Sequence, residues 1–154
     1  LRPPGAPGSP IGCGACHASD RGAGGSGPRG PHGSIYPHLL ERNYVTADLS
    51  VEGPSSYALC YKCHDRDVVL SDRSDFPLHR RHAVEERTPC SACHSAHGVS
   101  SQAGTPETNA PLVDFDVSIV KPGPAGRREY RTAGPRSGTC TLACHGAVHD
   151  GRGY

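Results

Sequence analysis

The sequence predicts a small, loop-rich fold with short helices and at most one β-hairpin, and three observations support this prediction. Only 24 of the 154 residues are Leu, Ile, Val or Phe, which is too few for an ordinary apolar core. Gly and Pro together account for 35 residues, and both interrupt regular secondary structure. All eight cysteines fall in four short, similar motifs. A group bound by these motifs would therefore have to supply the missing interior.

Each motif consists of two cysteines and a histidine that directly follows the second cysteine. Three motifs read C-x-x-C-H, and the fourth has one more residue between its cysteines. The cysteines are Cys13 and Cys16, Cys60 and Cys63, Cys90 and Cys93, and Cys140 and Cys144. The motif histidines are His17, His64, His94 and His145. C-x-x-C-H is the attachment signature of c-type haem, whose iron the histidine ligates. The sequence therefore predicts four covalently bound haem c groups, and these haems form the core.

Zinc binding and disulfide formation are two other uses of paired cysteines. Structural zinc sites also contain C-x-x-C pairs. Disulfides are common in cysteine-rich exported chains. Neither use requires a histidine immediately after the second cysteine, whereas haem attachment explains all four. The motifs therefore favour haem over zinc or disulfides.

The second axial position of each iron is predicted to hold another histidine, because the chain has no Met. Six histidines lie outside the motifs, and His38, between Pro37 and Leu39, is the least suited of them. The candidate ligands are His32, His79, His82, His97 and His149. His97 and His149 follow their motifs so closely that we expect them to serve neighbouring haems. Four of these five candidates would close all four irons.

The chain is predicted to form one tetrahaem domain over residues 1–154. Residues 1–12 are expected to be extended, and residues 99–139 form a haem-free insert. Within the insert, Leu112–Val120 alternates apolar and polar residues and predicts a strand, with 127–131 as its hairpin partner. Ser74–Glu86 predicts a helix on which His79 and His82 share one face. Short helical segments are also expected after Pro37 and around the second motif.

The charge and hydropathy exclude several classes of function. The formal net charge is +1, and no basic run suggests nucleic-acid binding. No stretch approaches the roughly 18 apolar residues of a membrane span. The chain starts without Met and covalent haem attachment takes place outside the cytoplasm, so we expect an exported, processed protein. Arg outnumbers Lys by 14 to two. The arginines suit haem propionates or are ordinary surface charges, and both interpretations stay open.

Three resemblances extend these expectations. Phe76-x-x-His79-x-x-His82 followed by Cys90-x-x-Cys-His94 resembles the class III tetrahaem cytochromes of sulfate reducers, in which the two histidines serve different haems. The third motif, continued by His97-Gly98, resembles the doubled-motif cytochromes of metal-reducing bacteria. The four-haem count and the loop-rich chain resemble extracellular cytochromes that polymerise into nanowires. The resemblances cover residues 57–98, with the isolated motifs at 13–17 and 140–149.

The function expected from this pattern is electron transfer rather than catalysis. Four haems in 154 residues must lie close together, so electrons can hop between them. We expect a subunit of an extracellular or cell-surface filament that associates head to tail and meets redox partner proteins or extracellular acceptors. The alternative is a monomeric periplasmic shuttle. A multihaem reductase is less favoured, because it needs an iron with an open position and every motif ends in His.

Overall fold

The computed structural model describes residues 10–22, 25–28, 30–100, 105 and 112–154. The chain packs as two compact units. Unit 1 comprises Leu1–Val45 and Glu52–Val68, and unit 2 comprises Thr46–Val51 and Val69–Tyr154. The first and second motifs therefore lie in unit 1, and the third and fourth lie in unit 2. The single domain expected over 1–154 stays a prediction. An extended segment was expected over residues 1–12, and residues 1–9 of it lie outside the described residues.

The helical elements among the described residues are all short. The two α-helices are α1, Ala58–Tyr61, and α2, Arg66–Val69, and a π-helix spans Arg81–Glu85. Single 3-10 turns occupy Cys13–Ala15, Pro37–Leu39, Cys90–Ala92 and Pro124–Gly126. None of the described helices is long and apolar enough to cross a membrane. The helical segment expected after Pro37 is reduced to a single 3-10 turn, whereas α1 confirms the one at the second motif.

The helix predicted over Ser74–Glu86 forms only in its second half, where helical residues begin at His79. Ser74 lies ahead of the helix, and its hydroxyl accepts a hydrogen bond from the Phe76 N–H at 3.3 Å. The same hydroxyl hydrogen-bonds His79 Nδ1 at 2.8 Å. Ser74 therefore closes a turn ahead of the helix and fixes the ring of the first helical residue.

Unit 2 contains a three-stranded antiparallel sheet of order β1–β2–β3. Its strands are β1, Glu129–Gly134, β2, Ser137–Cys144, and β3, Ala147–Gly153. Two residues, His145 and Gly146, join β2 to β3, and their φ angles are +48° and +78°. Positive φ at both positions is typical of the type I′ turn that suits a two-residue hairpin loop. A loop-rich fold with few short helices and one antiparallel sheet confirms the predicted fold class, with one strand more than a hairpin.

The strand predicted over Leu112–Val120 is wrong. Only Val113 pairs, through an isolated bridge to His94. The chain then turns, because the Asp116 carboxylate accepts hydrogen bonds from the Ser118 N–H at 2.8 Å and hydroxyl at 2.6 Å. An Asp that bonds the backbone two residues ahead stabilises a turn, and here it overrides the alternating pattern. The expected partner at 127–131 instead begins β1 and pairs with β2.

The apolar core of unit 2 is small and is built around the motifs. Ala92, Val120 and Leu142 are buried together. Three motif cysteines pack against this cluster: Cys93, Cys140 and Cys144. The residues that would attach haem in the third and fourth motifs therefore meet at the centre of the unit.

Candidate haem-binding sites

The first three motifs share one local geometry, a single helix-like turn. In each, the histidine N–H donates to the carbonyl oxygen of the first cysteine: His17 to Cys13 at 2.8 Å, His64 to Cys60 at 3.0 Å and His94 to Cys90 at 2.9 Å. This i to i−4 hydrogen bond gathers both thiols and the imidazole on one turn. Such a turn can present two thiols and one nitrogen ligand to the same porphyrin.

A half-buried lysine joins the two motifs of unit 1. Lys62, within the second motif, donates to the carbonyl of Ala15, within the first, at 2.8 Å. Its ammonium also pairs with the buried carboxylate of Glu41. The Glu41 N–H in turn donates to the Cys16 carbonyl at 2.9 Å. Burial raises the pKa of the Cys16 thiol, and Lys62 opposes that shift. The two attachment turns of unit 1 are therefore held side by side.

His17 makes its side-chain hydrogen bond through Nδ1, to the backbone carbonyl of His38 at 2.8 Å. A metal-ligating histidine commonly carries such a bond on its other ring nitrogen. The acceptor is the main-chain carbonyl of His38, the histidine that the sequence marks as least suited to ligate iron. His32 and His38 are exposed residues of the same unit.

The helical segment of unit 2 presents two imidazoles on one face, as the spacing of His79 and His82 predicts. Both rings contact Phe76, with centroid separations of 5.0 and 5.3 Å. His82 Nδ1 hydrogen-bonds the Leu78 carbonyl at 2.9 Å, and His79 Nδ1 hydrogen-bonds Ser74. Bonds on Nδ1 fix each ring so that its Nε2 edge lies on the opposite side.

Each of these two imidazoles lies close to a second imidazole. The centroids of His79 and His94 are 6.2 Å apart, and those of His82 and His149 are 6.4 Å apart. Two imidazoles on opposite sides of one metal, each bound at about 2.0 Å, have ring centres roughly 6.3 Å apart. Both centroid separations are therefore close to the value expected for two imidazoles on one iron.

A cleft in unit 2 lies between His82 and His149, and its lining fits an iron porphyrin. Both cysteines of the fourth motif border it, so thiols for covalent attachment are present. Apolar and basic side chains complete the lining, among them Phe76, Leu78, Tyr154, Arg81 and Arg152. Rings and aliphatic groups suit the porphyrin faces, and guanidinium groups suit its propionates. Burial, followed by the nearby positive groups of His82, Arg152 and Arg81, lowers the pKa of His149, which favours the neutral form that ligates metals.

The fourth motif differs from the other three, because its two cysteines lie on β2 rather than on a turn. His145, in the hairpin loop, hydrogen-bonds both carboxylate oxygens of Asp48 through Nε2, at 2.9 and 3.2 Å. His97, also predicted as a ligand, is exposed and lies four positions beyond the last cysteine of the third motif. Both cysteines and the histidine of the fourth motif border the cleft.

The eight cysteines form no disulfide. Burial raises the pKa of the Cys93 thiol to about 12, and burial also raises the pKa values of Cys140 and Cys144. Among the described residues, no three His, Cys, Asp or Glu side chains converge as a site for a bare metal ion. The thiols of Cys93, Cys140 and Cys144 therefore stay protonated at neutral pH.

Comparison with known families gives one match. Residues 6–69 match a family model described as a doubled CXXCH motif. The match supports a multihaem c-type cytochrome. It spans the first and second motifs and so coincides with the pair that Lys62 joins in unit 1, whereas the sequence resemblance was drawn mainly on residues 57–98. No curated protein and no solved structure matches the chain significantly.

The contacts around the motifs include residues that the sequence analysis did not single out. One feature of the sequence could have pointed to Lys62: it is one of only two lysines, and it lies inside a motif. Arg81 and Arg152 are part of the arginine excess that the composition showed. Asp48 and Glu41 gave no signal, since each is an ordinary acidic residue far in sequence from the motif it contacts.

Proposed function

We propose that the chain transfers electrons through four covalently bound haem c groups, one at each motif, with two histidines on every iron. Two short separations between imidazole ring centroids in unit 2 carry this proposal. They are 6.2 Å for His79 and His94 and 6.4 Å for His82 and His149. When bound, haem c supplies one-electron chemistry at iron, and ligation by two imidazoles in place of Met keeps its potential low.

The role of the chain is to hold the sites close together and in fixed positions. His79 and His82 are three residues apart on one helical face, so the two irons they would ligate are neighbours in unit 2. Phe76 contacts both rings and keeps them from rotating. In unit 1, Lys62 holds two attachment turns together. Short separations favour electron transfer, because its rate falls steeply with distance between cofactors.

The test of this proposal uses the holoprotein, matured with haem. Intact mass spectrometry should give the mass of the chain plus four haems, and electron paramagnetic resonance should show low-spin, six-coordinate ferric iron. The mass of the bare chain, or of a zinc form, would overturn the proposal. A high-spin, five-coordinate signal in the native protein would instead favour a multihaem reductase, since an open iron position is what substrate needs.

A matched pair of variants tests the ligand assignment directly. His79→Asn should convert one haem in four to the high-spin form, because Asn cannot replace imidazole on iron. His38→Asn is the control, since the His38 carbonyl that bonds His17 is retained and Asn tolerates the positive φ of 61° at this position. Equal spectra for the two variants would remove His79 from the ligand set.

We further propose that the exported holoprotein is the subunit of an extracellular filament, with a monomeric periplasmic shuttle as the alternative. The exposure of the first motif supports a filament: Cys13 is exposed, and nearby Ile11 is 68% exposed. A haem attached there would offer an edge to the next subunit or to a redox partner. Negative-stain imaging of filtered holoprotein separates the two: long fibres support the filament, and compact monomers rule it out.

A further inference from the structure

We infer that the ion pair between Lys62 and Glu41 sets the reduction potentials of both haems of unit 1 together. The pair places one positive and one negative charge where the first and second attachment turns meet. The positive charge raises both potentials and the negative charge lowers them, so the potentials depend on the two charges staying paired. This inference rests on the proposed function, because it requires a haem at each of the two motifs.

Both charges of the pair are largely withdrawn from water. The Lys62 side chain is 17% exposed, and the Glu41 side chain is 6% exposed. Charges interact several times more strongly in such surroundings than in bulk water, and salt screens them less. A change of charge at this position therefore acts on a nearby iron more strongly than the same change at the surface.

The pair contacts both attachment turns. Lys62 lies between the cysteines of the second motif, and its ammonium donates to the Ala15 carbonyl, between the cysteines of the first, at 2.8 Å. The Glu41 N–H donates to the Cys16 carbonyl at 2.9 Å. Charges held against two attachment turns lie close to both irons that these turns would carry. The effect is therefore expected on two potentials rather than on one.

Lys62 lies on the side of its turn that an attached haem leaves free. Cys60, Cys63 and His64 have the spacing i, i+3 and i+4 on this turn, so the thiols and the imidazole share one face. Lys62 is two residues after Cys60 and lies on the opposite face. Ala15 has the same position in the turn of the first motif. Haem attachment on one face of each turn is thus compatible with the ion pair on the other.

The direction of each effect follows from the charge of the iron, because ferric haem carries one more positive charge than ferrous haem. Lys62→Met leaves the carboxylate alone and should lower two of the four potentials. Glu41→Gln leaves the ammonium alone and should raise the same two. Lys62→Arg keeps the charge, and Lys62→Met/Glu41→Gln removes both charges, so each should give potentials close to those of the wild type. The measurement is a spectroelectrochemical titration of the holoprotein at about pH 8, where carboxyl and ammonium groups are both charged.

Shifts of opposite sign separate an effect of charge from an effect of structure. If the substitutions only loosened unit 1, water would reach its haems in both variants and lower the potentials in both, since water stabilises the ferric form. Shifts of the same sign, a shift of one potential only, or no shift would overturn the inference. Lys121→Met is the matched control, because it removes the same charge from an exposed site and should shift the potentials less. An equal shift from Lys121→Met would also overturn the inference.

Intact mass is measured for every protein, so that the inference and the proposed function fail separately. A wild type with fewer than four haems contradicts the proposed function. Four haems in every variant, with potentials that do not follow the charge, contradict only the inference. If Lys62→Met does not retain its four haems, Glu41→Gln decides alone: a rise of two potentials supports the inference, and a fall or no change overturns it.

Discussion

Units 1 and 2 each hold two motifs, but they hold them by different interactions. In unit 1, ion pairs with buried carboxylates surround the motifs: Glu41 and Glu52 have side chains 6% and 2% exposed and pair with Lys62 and Arg66. In unit 2 the motifs pack on an apolar cluster and a sheet, and the Arg80–Glu85 ion pair is exposed on both sides. Unit 1 therefore depends on charge and unit 2 on apolar contact.

The comparison also shows what one inserted residue does to a motif. With two residues between the cysteines, the motif forms a turn closed by a hydrogen bond from its histidine. With three, as in Cys140–Cys144, the cysteines are an even number of residues apart and can share one face of a strand. The strand directs the chain into a hairpin, so the next residue, His145, is in the loop. A change in secondary structure, rather than in residue type, separates this histidine from the other three.

The largest expected effect is the loss of both units without haem. The buried apolar residues among those described are few, and in unit 2 the central cluster has only three members. A core of this size cannot offset the conformational entropy of a glycine-rich chain. Chain produced without haem attachment should show a disordered circular dichroism spectrum and rapid amide exchange throughout, whereas the holoprotein is folded. A cooperative urea transition in the haem-free chain would contradict this prediction.

The sequence predicted the elements whose cause is local and missed those whose cause is distant. The helical segment at the second motif and the shared face of His79 and His82 follow from the identity and spacing of a few residues. The strand over Leu112–Val120 failed for a local reason, the turn that Asp116 forms with Ser118, whereas the actual sheet depends on pairing between β1, β2 and β3. Asp48 contacts His145 from 97 positions away, and no periodicity reports such a contact. The position of His145 in a hairpin loop likewise depends on the pairing of β2 with β3.

A smaller effect is expected from Lys62→Met, which should destabilise unit 1. The substitution leaves the Glu41 carboxylate buried without its cation and the Ala15 carbonyl without its donor. Breaking one side of a buried pair costs about 3 kcal/mol or more in free energy of unfolding. Hydrogen exchange of the holoprotein, resolved by mass spectrometry, should show faster exchange in unit 1 and unchanged exchange in unit 2.

The chain provides its own control for this prediction, because Lys121 is the other lysine. It is exposed, and its ammonium donates to the carbonyls of Val117 and Ser118. Lys121→Met should change the free energy of unfolding by less than about 0.5 kcal/mol. The double variant Lys62→Met/Glu41→Leu should recover most of the lost stability, since no buried charge remains. Equal effects of the two lysine substitutions would mean that unit 1 does not depend on the buried pair.

The smallest expected effect is a difference in acid sensitivity between the units. The Glu52 carboxylate accepts hydrogen bonds from Arg66 Nε at 2.9 Å and from the Tyr61 hydroxyl at 2.8 Å. The Arg66 hydrogen bonds, above all, lower the pKa of Glu52. A carboxyl group with a lowered pKa stabilises the folded state at pH values above its unfolded pKa of about 4.3. That contribution is lost as the pH falls through the folded pKa.

Unit 1 should therefore open before unit 2 as the pH is lowered below about 4, with hydrogen exchange as the measurement. Glu52→Gln should lower the stability of unit 1 at pH 7 by about 1.5–3 kcal/mol and flatten this part of its acid dependence. Glu85→Gln in unit 2 is the matched control, because its ion pair with Arg80 is 3.9 Å long and exposed. If the two units open at the same pH in the wild type, the distinction between a charge-held and an apolar-held pair of motifs does not hold.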